Sequence, residues 1–120
     1  MTITEARQAL ADALSTVSGL SVRARPTVKT PKTGDGWVVI TRLQPSTFSA
    51  CSAVLTAVLI LGSDAPKAEE LFEEYGTAVI DAVTSALNVA DVSLEAQALV
   101  AGNPAGPLYA IALTITLEVD

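Results

Sequence analysis

Histidine is absent from the 120 residues, and cysteine, methionine and tryptophan occur once each. The missing histidine excludes Ser-His-Asp and Cys-His catalysis and removes the commonest zinc ligand. A lone cysteine excludes an intrachain disulfide framework and any multi-cysteine metal site. Cys51 lies among Ala and Ser with no base to activate it, and reads as a small buried filler. Positive charge is scarce: seven Lys and Arg face thirteen Asp and Glu, for a net charge of −6. That balance, with only two Tyr and two Phe, argues against a nucleic-acid-binding surface. The longest apolar run, residues 50–61, is shorter than the roughly 20 residues a spanning helix needs. It is rich in β-branched residues and ends at Gly62, as a buried strand would. The opening Met1-Thr2-Ile3-Thr4-Glu5 has no basic stretch followed by an apolar one, so no secretory signal is expected. Synthesis in a reducing cytoplasm fits the single cysteine.

What is present is apolar and periodic. Half the residues are hydrophobic, mostly Ala, Val, Leu and Ile. One domain over 1–120 is expected, able to bury roughly two-thirds of its unfolded surface. Residues 3–17 read as a helix opened by a Thr2–Glu5 capping box. Its apolar stripe is Ala6, Leu10, Ala13, Leu14 and Val17, with Arg7, Gln8 and Asp12 away from it. Gly19 is placed to end it in a left-handed turn. Residues 20–25 alternate as a half-buried strand with Ser21, Arg23 and Arg25 outward, closed by Pro26.

Residues 27–36 carry turn residues without periodicity and read as an extended loop, long for a hairpin connection. Strands follow over 37–43 and 48–61, separated by Gln44-Pro45-Ser46-Thr47. The second would reach about 45 Å if unbroken, so it must bend, bulge or extend past the domain. Trp37 reads as a core anchor.

Ser63-Asp64-Ala65-Pro66 is a helix start, with capping oxygens and a first-turn proline. The helix over 66–87 places Leu71, Phe72, Tyr75, Val79 and Val83 on one face and Glu69, Glu70, Glu73 and Glu74 largely opposite. Gly76 in its middle costs near 1 kcal/mol against Ala, which a close backbone approach would explain. Residues 92–100 and 109–119 alternate as strands around a turn at 101–107 and are expected to form an antiparallel hairpin. In the last strand Tyr109, Ile111, Leu113, Ile115, Leu117 and Val119 point inward, and Ala110, Ala112, Thr114, Thr116 and Glu118 outward. The order α-β-β-β-α-β-β predicts an α+β two-layer sandwich, an antiparallel or mixed sheet with both helices on one face.

Charge is segregated along the chain. Between residues 21 and 45 lie Arg23, Arg25, Lys29, Lys32 and Arg42, with Asp35 the only acid. From residue 64 onward Lys67 alone faces ten acids. The plain reading is two solvated faces that keep the protein soluble. The sharper reading is a head-to-tail contact, in which the basic segment of one copy meets the acidic helix of the next. A divalent-cation site on Glu69, Glu70, Glu73 and Glu74 is the weaker alternative, since such sites draw on several elements and usually on His. Lys32-Thr33-Gly34-Asp35-Gly36 lacks the spacing and following helix of a phosphate loop.

This layout resembles the tail terminator proteins of siphophages, lambda gpU among them. The likeness covers nearly the whole chain. It rests on the short opening helix 3–17, the long β-hairpin loop 27–36, the long strand 48–61, the amphipathic helix 66–87, the closing hairpin and the Ala- and Thr-rich acidic composition. It implies a non-enzymatic virion protein without cofactor, made in the host cytoplasm. Such proteins form a hexameric ring at the head-proximal end of the tail tube, end its polymerisation and join the tail to the head connector. The implied partners are copies of the chain, the major tail tube protein and the connector or stopper. DNA passes the lumen without sequence-specific binding, and no membrane is involved. Head–tail connector and stopper proteins of the neck have similar size and are an alternative, as is a small intracellular protein-binding module on the same fold. No residue motif comes with the resemblance. The interface residues expected from charge and loop length are Arg23, Arg25, Lys29 and Lys32 on one side and Glu69, Glu70, Glu73 and Glu74 on the other.

Overall fold

The computed structural model describes residues 2–26, 32–45, 50–87, 89, 91–99 and 108–120. Lys29, the turn at 101–107 and the first residues expected of the 48–61 strand lie outside them. The elements are α1 (Ile3–Ser15), β1 (Ser21–Arg23), β2 (Asp35–Pro45), β3 (Cys51–Gly62), α2 (Ala65–Ala86), β4 (Asp91–Leu99) and β5 (Leu108–Val119). They build the expected α+β fold, a five-stranded mixed sheet in the order β1-β2-β3-β5-β4.

Pairing follows from the alternation of each strand. β3 is central and runs antiparallel to β2 and β5, and β4 pairs antiparallel with β5 as a closing hairpin. The inward residues Ala53, Leu55, Ala57, Leu59 and Leu61 of β3 meet Ile111, Leu113, Ile115 and Leu117 of β5 beneath the helices. The length of β3 is relieved by a register shift between Ile60 and Gly62, and β2 shifts between Ile40 and Arg42. Each insertion bends its strand and increases its twist.

Several boundaries differ from the sequence reading. The Thr2 capping box forms, with Glu5 N–H donating to Thr2 Oγ1 at 3.2 Å and Thr2 N–H to Glu5 Oε1 at 2.9 Å. The helix ends at Ser15, before Gly19, where the chain tightens to i→i−3 bonds from Thr16 N–H to Ala13 O and Val17 N–H to Leu14 O, and Ser15 Oγ accepts from Val22 N–H at 3.1 Å. Asp64 caps α2 by backbone alone; its carbonyl accepts from Ala68 N–H at 2.8 Å and its side chain makes no capping bond. Asp35 and Gly36 belong to β2, not to the preceding loop, and β2 continues through Pro45.

The pairing of β1 with β2 is parallel, Ser21 beside Asp35 and Arg23 beside Trp37. Residues 24–34 are therefore a crossover, and the loop is not a hairpin. Parallel strands need about a dozen connecting residues simply to return the chain. Loop length thus has a topological cause and no longer points to function. The crossover closes at Gly34, whose carbonyl accepts from Ser21 N–H at 2.8 Å and whose N–H donates to Ile60 O at 2.9 Å. Gly34 has φ +95°, and a Cβ there would collide with the Gly19 carbonyl oxygen. Only glycine serves at that junction.

Trp37 is not in the main core. It packs on Val58, Ile60 and Ala110, a small cluster on the sheet face opposite the helices. Ala110 and Ala112, expected outward, lie on that face and are buried there, at 1% and 9% exposure. Cys51 is half-buried at the start of β3, against the main core.

Candidate functional site

The helices load the two flanks of the sheet differently. α1 packs on β1, β2 and β3, whereas α2 packs on β3, β5 and β4. β1 and β4 are the opposite edges. The charge separation along the chain thereby becomes a separation in space. Arg23 and Arg25 are exposed at the β1 edge, and Lys32 is exposed beside Asp35, whose carboxylate accepts from the Lys32 backbone N–H at 2.9 Å. Glu69, Glu70, Glu73 and Glu74 are exposed on the N-terminal half of α2 over the other flank. Glu70 lies 3.8 Å from Lys67 in an exposed i,i+3 pair, worth little in water.

The register extends this polarity across the helix-free face. One row runs Arg23, Trp37, Val58, Ala112, Glu95 from edge to edge. Another runs Arg42, Val54, Thr116, Asp91. Each begins in an exposed arginine and ends in an exposed carboxylate. Between them Thr56 Oγ1 lies 2.7 Å from Thr41 Oγ1 and 3.3 Å from Thr114 Oγ1, a hydroxyl ladder along the centre. Asp91 and Glu95 were not among the residues singled out from the sequence. The signal for them was the outward phase of their own strand.

Arg7, like Trp37, lies elsewhere than the sequence reading placed it. It is 8% exposed, the only buried charged side chain among the described residues. Its spacing to Leu10, Ala11 and Leu14 is the i, i+3, i+4, i+7 of the buried face, a pattern that its charge obscured. Arg7 Nε donates to Ala24 O at 3.0 Å and Nη2 to Val38 O at 2.8 Å. One side chain thus ties α1 to the end of β1 and to β2. Burial, and then the nearby Arg25 guanidinium, lower its pKa from the ordinary value.

The unpaired edges differ too. β1 covers only Asp35–Trp37 of β2, and among the described residues no strand pairs with the outer side of the rest, where Arg7 bonds the Val38 carbonyl. Ile40 and Leu43 on this stretch are 41% and 48% exposed. At the opposite flank a hollow of about 520 Å³ lies between α2 and the β4–β5 pair, lined mainly by Leu61, Ala68, Phe72, Ala96 and Tyr109. Among the described residues no three Cys, Asp or Glu side chains are grouped as metal ligands. No helix among them is long and apolar enough to cross a membrane.

The sequence matches no protein-family model and no curated protein.

Proposed function

We propose that the chain is a structural subunit that assembles head to tail with copies of itself. The role is the one its resemblance implies: a non-enzymatic ring at the head-proximal end of a phage tail tube, ending tube growth and joining the tail to the head connector. The observation that carries this reading is the charge gradient across the sheet, from Arg23 and Arg42 at one edge to Glu95 and Asp91 at the other. A surface with complementary ends is what a heterologous contact requires, and such contacts close into rings when the rotation allows. The glutamates of α2 enlarge the acidic end, and Arg25 and Lys32 the basic one. Individual exposed pairs contribute only about 0–1 kcal/mol, so the charges set orientation and association rate while apolar contacts at the same edges hold the ring. Ile40 and Leu43 are suited to that part.

Light scattering over a range of concentration, with negative-stain imaging of mixtures with tail tube protein, tests the proposal. Discrete rings, or density capping tube ends, are expected. A strict monomer that leaves tube ends bare at every concentration would contradict it. The uncovered stretch of β2 favours a second reading, a module that takes a partner's strand along this edge. Pull-down of a single host protein at micromolar affinity, sensitive to Leu43→Lys and indifferent to Glu69→Lys, would support that reading instead.

A further inference from the structure

We propose that the hollow between α1 and β1 is an oxyanion-binding site, with Arg7 as its buried anchor and Arg25 at its rim. The hollow holds about 500 Å³ and is lined by Thr4, Arg7, Gln8, Arg23 and Arg25 together with Val22 and Ala24. The Arg25 guanidinium is close enough to Arg7 to lower its pKa, no Asp or Glu lines the hollow, and the nearest carboxylate contact of a lining residue is Asp12, which accepts from Gln8 Nε2 at 2.8 Å. Among the described residues neither Arg23 nor Arg25 has an ion-pair partner.

The geometry of Arg7 makes this more than a basic patch. A guanidinium carries five N–H donors. The bonds to Ala24 O and Val38 O use two of them and fix the group in one orientation. Nη1 donates to no described residue, and Arg7 lines the hollow. A buried cation held by neutral carbonyls, with the Arg25 guanidinium beside it, has no carboxylate partner among the described residues. A phosphate or carboxylate group supplies that counter-charge, accepting short charge-assisted bonds from the guanidinium. The Thr4 hydroxyl lines the same wall as a neutral donor, while the Gln8 amide already donates one N–H to Asp12 Oδ1 at 2.8 Å.

Two sources can supply that group: a small free oxyanion, or a glutamate from α2 of a second copy. The site itself stands without assembly, so the two proposals fail separately. Inorganic phosphate is the probe, titrated into dilute protein with chloride adjusted to constant ionic strength and read by amide and Arg Nε resonances. Saturable shifts confined to Thr4, Gln8, Ala24, Arg7 and Arg25 are expected, with a dissociation constant of millimolar order. Arg25→Gln, whose side chain is exposed and leaves the fold intact, should weaken binding several-fold. Arg7→Lys, which keeps the charge and loses the fork, should weaken it tenfold or more. Where phosphate binds and also dissolves assemblies, the neighbouring copy's glutamate is the natural occupant; where it binds and assembly is unchanged, a free oxyanion is. Shifts that never saturate, or that chloride reproduces at equal ionic strength, would overturn the site.

Discussion

The two helices differ inversely in length and burial. α1 has 13 residues and buries Ala6, Arg7, Leu10, Ala11, Ala13 and Leu14; α2 has 22 and buries only Ala68, Val79 and Val83. The α1 flank is further held by directed polar contacts: Arg7 to two carbonyls, Ser15 to Val22, and Gly34 to Ser21 and Ile60. Among the described residues the α2 flank shows an apolar seam alone, with Leu71, Phe72 and Tyr75 half-buried and Ile80 37% exposed. The difference teaches a division of labour. Residues of the first flank specify the fold, and residues of the second are left largely to solvent and are free to serve a partner. Substitutions should therefore be expensive for folding on the α1 side and cheap on the α2 side, with the order reversed for assembly.

The sharpest way to break that comparison is at Arg7. Arg7→Met should lower unfolding stability by about 2–4 kcal/mol, since it strands the buried Val38 carbonyl and the partly buried Ala24 carbonyl. Urea denaturation with an unchanged slope measures it, and a loss below half a kcal/mol would show that the polar tie is idle. Next is Gly19→Ala. Gly19 has φ +91°, and a Cβ there would sit 2.6 Å from the Tyr75 hydroxyl. A loss of about 1–2 kcal/mol is expected from the left-handed backbone alone, with Tyr75 displaced in the near-ultraviolet spectrum.

On the other flank, Gly76→Ala should raise stability by about 0.5–1 kcal/mol. A Cβ at Gly76 meets only Leu94 Cδ1 at 3.7 Å, an ordinary contact, so no close backbone approach requires glycine there. Thermal unfolding of this variant would sink the idea of an under-packed α2 seam if the midpoint fell. Reversing Glu69, Glu70, Glu73 and Glu74 to Lys should change monomer stability by less than about 0.5 kcal/mol each. The same change should weaken assembly, more so at low salt where exposed charges are least screened.

The smallest effect is a pH dependence at the start of α1. Hydrogen bonds from the Thr2 backbone N–H and hydroxyl hold the Glu5 carboxyl below its ordinary pKa of 4.5. A depressed folded pKa stabilises above the unfolded value and is lost as pH falls through the folded one. Glu5→Gln should flatten the acid limb of the stability curve below pH 4.5 and leave neutral pH nearly unchanged.

Much of this architecture was legible in residue order. Alternation in β5 and the three-and-four spacing of α2 dictated their elements, and the Thr2–Glu5 pair marked the start of α1. What escaped were features of pairing partners. The parallel register of β1 on β2 depends on Gly34 meeting Gly19, and no local pattern announces it. Arg7 was read as surface because charge outweighed its position in the buried stripe. Trp37 was assigned to the core by its size, whereas its strand phase sends it to the other face. Of the candidate surfaces, Arg23, Arg25 and the α2 glutamates stood out in the sequence. Asp91 and Glu95 needed the sheet order, which alone places β4 at the edge opposite β1.

A charge-swap mixing experiment probes the central claim most directly. One variant carries Arg23→Glu and Arg25→Glu, the other Glu69→Lys and Glu73→Lys, and sedimentation velocity follows each alone and the two combined. Head-to-tail joining through opposite charges requires that neither associates by itself and that the equimolar mixture forms alternating oligomers of wild-type size. Self-association of either variant at wild-type strength, or a mixture that stays monomeric while the wild type assembles, would contradict it.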